Sequence, residues 1–550
     1  MTIRGNGHLV GVDVGTGSVR AGVFNRAGDL VASATTPIDI YHPQEDYVEQ
    51  SSSEIWRAVG ESVHTAVRQA GLAPSSIVGI GFDATCSLVA LDRADQPITV
   101  SPSGAPGHNV IVWMDHRAEA QADQINATGH PVLRYVGGKL SPEQEPPKLK
   151  WIKENLPDTW ANAGKFLDLA DYLVFQACGD DVRSQCTVVC KWTYLGHEGE
   201  DGAWDMSFFK QIGLDDLFQG GRAGRRVAPI GSRAGTLTVA AAAELGLAEG
   251  TAVTVGIIDA HAGGIGVLGM YTHGDSGADL GRLDTKLALI AGTSSCHMAV
   301  SPDARFISGV WGPYYGAMIP GMWLNEGGQS ATGALIDHVL ENHAAYPAVS
   351  RAAADSGRTV YQALNDDLAQ MTPAELDEAM SEIHVLPYFH GNRSPRADSR
   401  ARGMISGLTL DSSPRNLALL YLATVRAIAH GTRHIIDEMN KAGYTIERLH
   451  ACGGGSKNLV LMQEHADVTG CEIYLSPATE PVLLGSAMLA AVAAGVYPSV
   501  LDAIASMSPR AEAVKPNRNR KSLLDARHRV FLRMYEHQLE YRQLTEETGK

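Results

Sequence analysis

The chain has 550 residues, 44% hydrophobic and 19% charged, enough apolar material for large buried cores and a poor fit to disorder or low complexity. Its formal charge of −16 argues against nucleic acid or an anionic membrane as the main ligand, so an anionic substrate has to be met by local basic groups. Seven scattered cysteines without a CxxC pair, and an N-terminus with no apolar stretch, lead to the expectation of a cytoplasmic protein with reduced thiols.

From the N-terminus, Leu9 to Asn25 alternates apolar and small residues about Gly15-Thr16-Gly17-Ser18, which predicts a β-hairpin. Backbone amides at such a tip can cradle phosphate, and Asp13 just before it can hold Mg²⁺; an ordinary Gly-rich hairpin fits the same pattern. Glu54 to Ala70 has helical spacing. Ile77 to Phe82 reads as a strand running into Asp83-Ala84-Thr85-Cys86-Ser87, where Thr85 and Cys86 are candidates to face a polar ligand. After the strand-like Asn109 to Val112, Trp113 and Asp115 stand beside Arg117, offering stacking area and a hydrogen-bonding frame that suit a polyol; a surface ion pair beside a half-buried Trp suits them equally. Leu149 to Asn155 and Phe166 to Gln176 read as helices. Lys191 lies in the apolar run Val188 to Trp192, either at a site or snorkelling to solvent.

Near the middle of the chain the β-branched run Ala252 to Ile258 ends at Asp259, and small residues follow as Ala260-His261-Ala262-Gly263-Gly264. An acid at a strand end is where α/β proteins place chemistry. Gly269 to Arg282 reads as a crossing between domains, because Leu287 to Ser295, with Gly292, Thr293 and Ser294, repeats the first hairpin. Trp323 to Gly333 reads as a Gly-rich turn leading into a helix from Ala334 to Leu340, with Glu326 in reach of a ligand. Leu386 to Pro395 reads as a structured loop and Leu417 to Met439 as a long amphipathic helix. Leu449 to Asn458 is strand, triple glycine and helix start, a turn suited to a nucleotide. Pro481 to Val496 carries no charge but is too short to span a bilayer, so it reads as a buried helix, and Leu523 to Leu544 closes the chain.

The chain has no P-loop, HExxH or GxSxG sequence. Gly264 to Gly269 fits GxGxxG, but it starts after Asp259 and not in a strand-to-helix turn, which argues against a dinucleotide site. Cys186 and Cys190 are four residues apart, yet with no second pair or nearby His they read as core thiols.

Taken in order, Asp13 to Arg20, Trp113 to Arg117, Asp259 to Gly263, Gly292 to Ser295 and Gly453 to Asn458 resemble the FGGY family of carbohydrate kinases over nearly the whole chain, and Pro387 to Pro395 with Ala401 to Leu408 adds to the likeness. The resemblance implies an α/β fold of two ribonuclease H-like domains, residues 1–275 binding sugar and 276–550 binding nucleotide, closing over ATP and Mg²⁺. Asp83 to Val89 is similar to the corresponding segment of D-ribulose kinases, so the expected reaction is phosphorylation of D-ribulose at its terminal hydroxyl. L-ribulose, another pentulose or a pentitol, and an actin-like ATPase without a sugar, are the alternatives.

The resemblance further implies Asp259 as general base, with Thr85, Cys86, Trp113, Asp115, Lys191, Asp259 and Glu326 toward the sugar. It assigns Gly15, Thr16, Gly17, Ser18, Arg20, Gly292, Thr293, Ser294, Gly333, Gly454, Gly455 and Asn458 to ATP, and Asp13 to Mg²⁺. Sugar and ATP are then the partners, with no nucleic acid or membrane, and a homodimer is compatible with the family.

Overall fold

The computed structural model describes residues 7–199, 202–273, 275, 277–478 and 480–547. Two seven-stranded sheets organise these residues. In the first, the hairpin His8–Val14 and Ser18–Phe24 continues antiparallel into Leu30–Pro37. On its other side, His8–Val14 is joined in parallel by Ile77–Ala84, which in turn pairs in parallel with Ala252–Thr254 and Ile257–Ile258. The second sheet repeats the plan: Lys286–Ala291, Ser295–Ser301 and Trp323–Gln329 are antiparallel, and Arg448–Cys452 and Glu472–Leu475 run parallel beside them. Three antiparallel strands followed by parallel ones, twice, is the ribonuclease H-like duplication that the family resemblance implies. Ser276, where the expected division between halves falls, lies outside the described residues.

The strand His8–Val14 is buried almost throughout because helices cover both faces of its sheet. Ser52–Gln69 covers one face. The other is covered by Pro481–Ala493, a helix from the opposite end of the chain. Reciprocally, Asp259–Leu268 packs on Lys286–Ala291 and Arg448–Cys452 of the second sheet. Each half thus lends a helix to the other. Glycine makes the approach possible: a Cβ on Gly81 would lie 2.3 Å from the Ser486 carbonyl oxygen, and one on Gly485 would lie 1.9 Å from that of Ala262. The two exchanged helices touch backbone to backbone at the centre of the molecule.

A smaller four-stranded sheet, Glu49–Gln50, Val110–Ile111, Leu88–Asp92 and Ala163–Asp168, is inserted in the first half. It corrects one sequence expectation. Phe166 to Gln176 is not a single helix: Ala163–Asp168 pairs with Leu88–Asp92, and the helix Leu169–Cys178 starts only after Asp168 accepts the Ala170 amide as its cap. A second correction concerns Glu326, which lies within the strand Trp323–Gln329 and not at a turn. The glycines that suggested a turn serve packing instead, since a Cβ on Gly327 would meet Ile435 at 2.7 Å and one on Gly328 would meet Arg393 at 2.8 Å. Ala252 to Ile258 is broken into two short strands, with Gly256 pressed against the Ala170 carbonyl. Gly264 to Leu268, most of the GxGxxG match, is helical, so it forms no strand-to-helix turn. No helix among the described residues is long and apolar enough to cross a membrane.

Candidate active site

Three carboxylates meet at the ends of three adjacent parallel strands. Asp13 is in register with Asp83, and Asp259 follows Ile258, which pairs with Ala84 beside Asp83. Asp13 and Asp83 are buried and Asp259 is half-buried. Burial, and then the Asp13 carboxylate, push Asp259 up to about 6. The same two causes drive Asp83 well above the ordinary carboxylate range. Ser486 Oγ, from the exchanged helix, donates to Asp83 Oδ2 at 2.5 Å, while Asp83 Oδ1 is buried without a hydrogen-bond partner. Asp13 pairs with Arg20, whose other arm reaches Glu480 at 2.8 Å. Hard oxygen donors clustered in this way, one of them orphaned, suit a divalent cation such as Mg²⁺.

Around the acids lie the predicted turns. Gly15 donates to the Ser18 carbonyl, and Thr16 Oγ1 accepts from Trp113 Nε1 at 3.0 Å, which ties the first hairpin to the inserted sheet. In the second half, Thr293 is exposed at the hairpin tip, and the Gly333 amide donates to Gly292 O at 3.1 Å where the helix Gly333–Glu341 begins. Gly453, at φ +89°, sits so close to Ala291 that a Cβ would lie 2.4 Å from its carbonyl oxygen. The triple-glycine turn with Gly454 and Gly455 is therefore held beside the hairpin of Gly292, Thr293 and Ser294. Asn458 caps the next helix and donates to Tyr421 at 2.7 Å. Glycine-rich turns at strand ends and helix starts are of the kind that can turn backbone amides toward a phosphate.

A cluster of charged side chains spans the seam between the halves. Lys191, at the end of the helix Gln185–Lys191, is only 6% exposed and so does not snorkel. Burial works to lower its pKa, but Cys86, Glu326 and Glu143 outweigh burial and raise it. Its ammonium lies 5.2 Å from the centre of the Trp311 ring, which belongs to the second half. Arg393 shares that ring at 5.1 Å and reaches Glu143 at 3.6 Å. Arg393 and then His116 outweigh burial at Glu143 and hold it at about 2. Glu326 Oε2 accepts from His261 Nε2 at 3.2 Å, and His261 more than offsets burial to lower the Glu326 pKa. Two cations and two anions from both halves are therefore gathered into one buried cluster, with Asp259 within electrostatic reach of Lys191.

Other predicted residues have structural work. Asp115 is fully buried, and its oxygens accept from the Val48 amide at 2.6 Å and from Arg117 at 2.7 Å. Arg117 in turn contacts Glu49 and lies over Tyr47 and Trp151. Asp115 thus fixes the loop that presents the half-buried Trp113. Thr85 Oγ1 lies 3.0 Å from Ser87 Oγ, and burial pushes the Cys86 thiol up to about 12 even though the Lys191 ammonium acts to lower it.

Asp83, Glu143, Arg393 and Trp311 were absent from the predicted set; Asp83 alone carried a signal, as an acid closing a strand beside Asp13. The Cys186 and Cys190 pair is also less ordinary than its spacing suggested, because His261 stands beside it. Cys186 Sγ lies 3.0 Å from His261 Nδ1. Burial opposes ionisation of Cys186, but Cys190 and His261 bring it down to about 5, while Cys186 and Glu326 raise His261 to about 10 against its burial.

Comparison with known proteins agrees with this two-domain fold. Residues 8–266 match the N-terminal domain of the FGGY family of carbohydrate kinases, and residues 287–494 match its C-terminal domain. The chain is 48% identical over 541 residues to an FGGY carbohydrate kinase domain-containing protein of Xenopus laevis, covering 97% of each. It is 39% identical over 510 residues to a D-ribulokinase of Saccharomyces cerevisiae, covering 88% of this chain and 71% of that one. A solved xylulose kinase of Rhodospirillum rubrum shares the fold with a TM-score of 0.78 at 20% identity, over 97% of this chain and 99% of that one.

Proposed function

We propose that this chain, which belongs to the FGGY family of carbohydrate kinases, transfers the γ-phosphoryl group of ATP to the terminal C5 hydroxyl of D-ribulose. It is a sugar kinase; the sugar, the base and the cation are our reading. The observation that carries the reading is the meeting of Asp259 with a buried charged cluster built by both halves, Lys191 and Glu143 from one and Glu326 and Arg393 from the other. A pentulose has the several hydroxyls and the carbonyl that such a cluster needs in order to leave no charge unpaired. The likeness to the yeast D-ribulokinase supports the choice of sugar.

Residues 1–275 supply most of the sugar site and residues 276–550 the adenosine site, with Glu326 and Arg393 of the second half reaching the sugar. Asp259 takes the proton from the attacking hydroxyl, and a carboxyl at about 6 is ionised at neutral pH yet basic enough to accept it. Gly15 to Ser18 and Gly292 to Ser294 hold the phosphates from opposite sides; Gly333 and Gly454 to Asn458 face the adenosine. Arg20 is drawn to the phosphates from its pair with Asp13. Asp13, with Asp83 beside it, would hold Mg²⁺, whose contribution is to neutralise phosphate charge. Phosphoryl transfer needs positioning and charge stabilisation more than covalent help, and closure of the two halves supplies both while excluding water. A cytoplasmic location is part of the proposal.

The test is the product. With ATP and D-ribulose, the new phosphate is expected on C5, read by phosphorus–proton coupling in NMR, and 5-deoxy-D-ribulose should give no sugar phosphate. Phosphate on another carbon, or turnover of the 5-deoxy sugar, would overturn the assignment.

A further inference from the structure

We propose that Cys186, Cys190 and His261 form a binding site for one thiophilic d¹⁰ cation of the Zn²⁺ class, set behind the sugar pocket. The two cysteines are one helical turn apart on Gln185–Lys191, so their sulfurs project from the same face. His261, in the first turns of Asp259–Leu268, completes the group: the two Sγ atoms and a His261 ring nitrogen all lie within 4.8 Å of one another, and all three residues are buried. Tetrahedral zinc with Zn–S near 2.3 Å and Zn–N near 2.0 Å sets its ligand atoms roughly 3.5–3.8 Å apart. Small side-chain adjustments therefore suffice.

A second observation points the same way. The far nitrogen of His261, Nε2, is 3.2 Å from Glu326 Oε2. A metal-binding imidazole typically donates its other N–H to a carboxylate, which fixes tautomer and ring orientation. Nδ1 would then face the cation while Nε2–H donates to Glu326. Two thiolates and an imidazole are a soft donor set, unsuited to the Mg²⁺ of the acidic cluster, so the sites would not compete for ions. The location gives the cation a role. Cys186, Cys190 and His261 belong to the first half and Glu326 to the second, and Gln185, next to Cys186, donates to the Tyr315 carbonyl across the seam at 3.0 Å. A cation here would lock His261, and through it would hold Glu326 at the edge of the sugar pocket. Opening of the seam is its route of entry.

The experiment reads binding and not turnover, so its outcome is independent of which sugar is phosphorylated. The full-length chain is stripped with chelator, equilibrated with Zn²⁺, freed of excess ion, and its zinc counted by mass spectrometry. Co²⁺ is titrated in parallel and read by its thiolate charge-transfer absorption. One zinc per chain is expected, with a cobalt spectrum of tetrahedral thiolate type. Cys186→Ser and Cys190→Ser should each lose stoichiometric metal while Cys178→Ser, remote from the site, keeps it. Glu326→Gln should weaken binding roughly 10- to 100-fold. Thermal melting checks that the serine variants fold, and the cobalt spectrum of the unaltered protein decides the matter if they do not. Zinc retained by Cys186→Ser, or cobalt bound without a thiolate band, would overturn the proposal.

Discussion

Asp259 owes its properties to crowding. Burial and Asp13 hold it at about 6, so the basic form prevails only above that pH. The rate with saturating ATP should fall as pH drops through about 6, and this acid limb should vanish with Asp259→Asn; a limb near the ordinary carboxylate range, at about 4, would contradict the assignment. Asp259→Asn should also lower kcat by at least about 10²-fold while sugar and ATP still bind, as measured by calorimetry. The sign for stability is opposite. A carboxyl raised on folding binds its proton more tightly in the native state, so ionising it opposes folding, and stability is lost as pH rises through about 6. Asp259→Asn should then be the more stable protein at pH 7 by about 1–2 kcal/mol, an advantage that shrinks in acid and is checked by urea unfolding at both pH values. Asp259 was legible because it ends an apolar strand, and the hairpin glycines because they punctuate alternation. Glu143 and Arg393 were not, because their partners are remote in sequence and nothing local marks either as half of a pair.

At the scale of elements, the hairpins and long helices follow local periodicity, and they were read correctly from it. The failures have one cause: glycine or apolar residues serving contacts made elsewhere in the chain. Gly327 and Gly328 imitate a turn but make room for Ile435 and Arg393, and Phe166 continues a helical pattern while its backbone belongs to a strand opposite Ala90. The exchange of Asp259–Leu268 and Pro481–Ala493 between sheets was equally invisible, since both are simply small-residue helices in sequence. Their contact leaves no room for a side chain where the two backbones meet. Gly485→Val has no space against the Ala262 carbonyl and should cost about 1–3 kcal/mol or more in urea unfolding. An unchanged unfolding midpoint would show that the helices part without penalty.

Across the whole molecule, the proposed sugar site is joint property of two halves that were expected to have separate tasks. Lys191→Met in one half and Arg393→Met in the other should raise the sugar KM by similar factors, roughly 10- to 150-fold, and leave the ATP KM nearly unchanged. An effect of Arg393→Met confined to ATP would separate the halves again. The central claim is that these buried charges select D-ribulose, and the most direct measurement is kcat/KM across D-ribulose, L-ribulose, D-xylulose, ribitol and glycerol with ATP held constant. A misplaced hydroxyl that leaves one charge unpaired costs about 1–3 kcal/mol, so D-ribulose should exceed each competitor by roughly 5- to 150-fold, with L-ribulose and ribitol weaker and D-xylulose and glycerol poor. ATP turnover that ignores the sugar, or a clear preference for D-xylulose or glycerol, would contradict it.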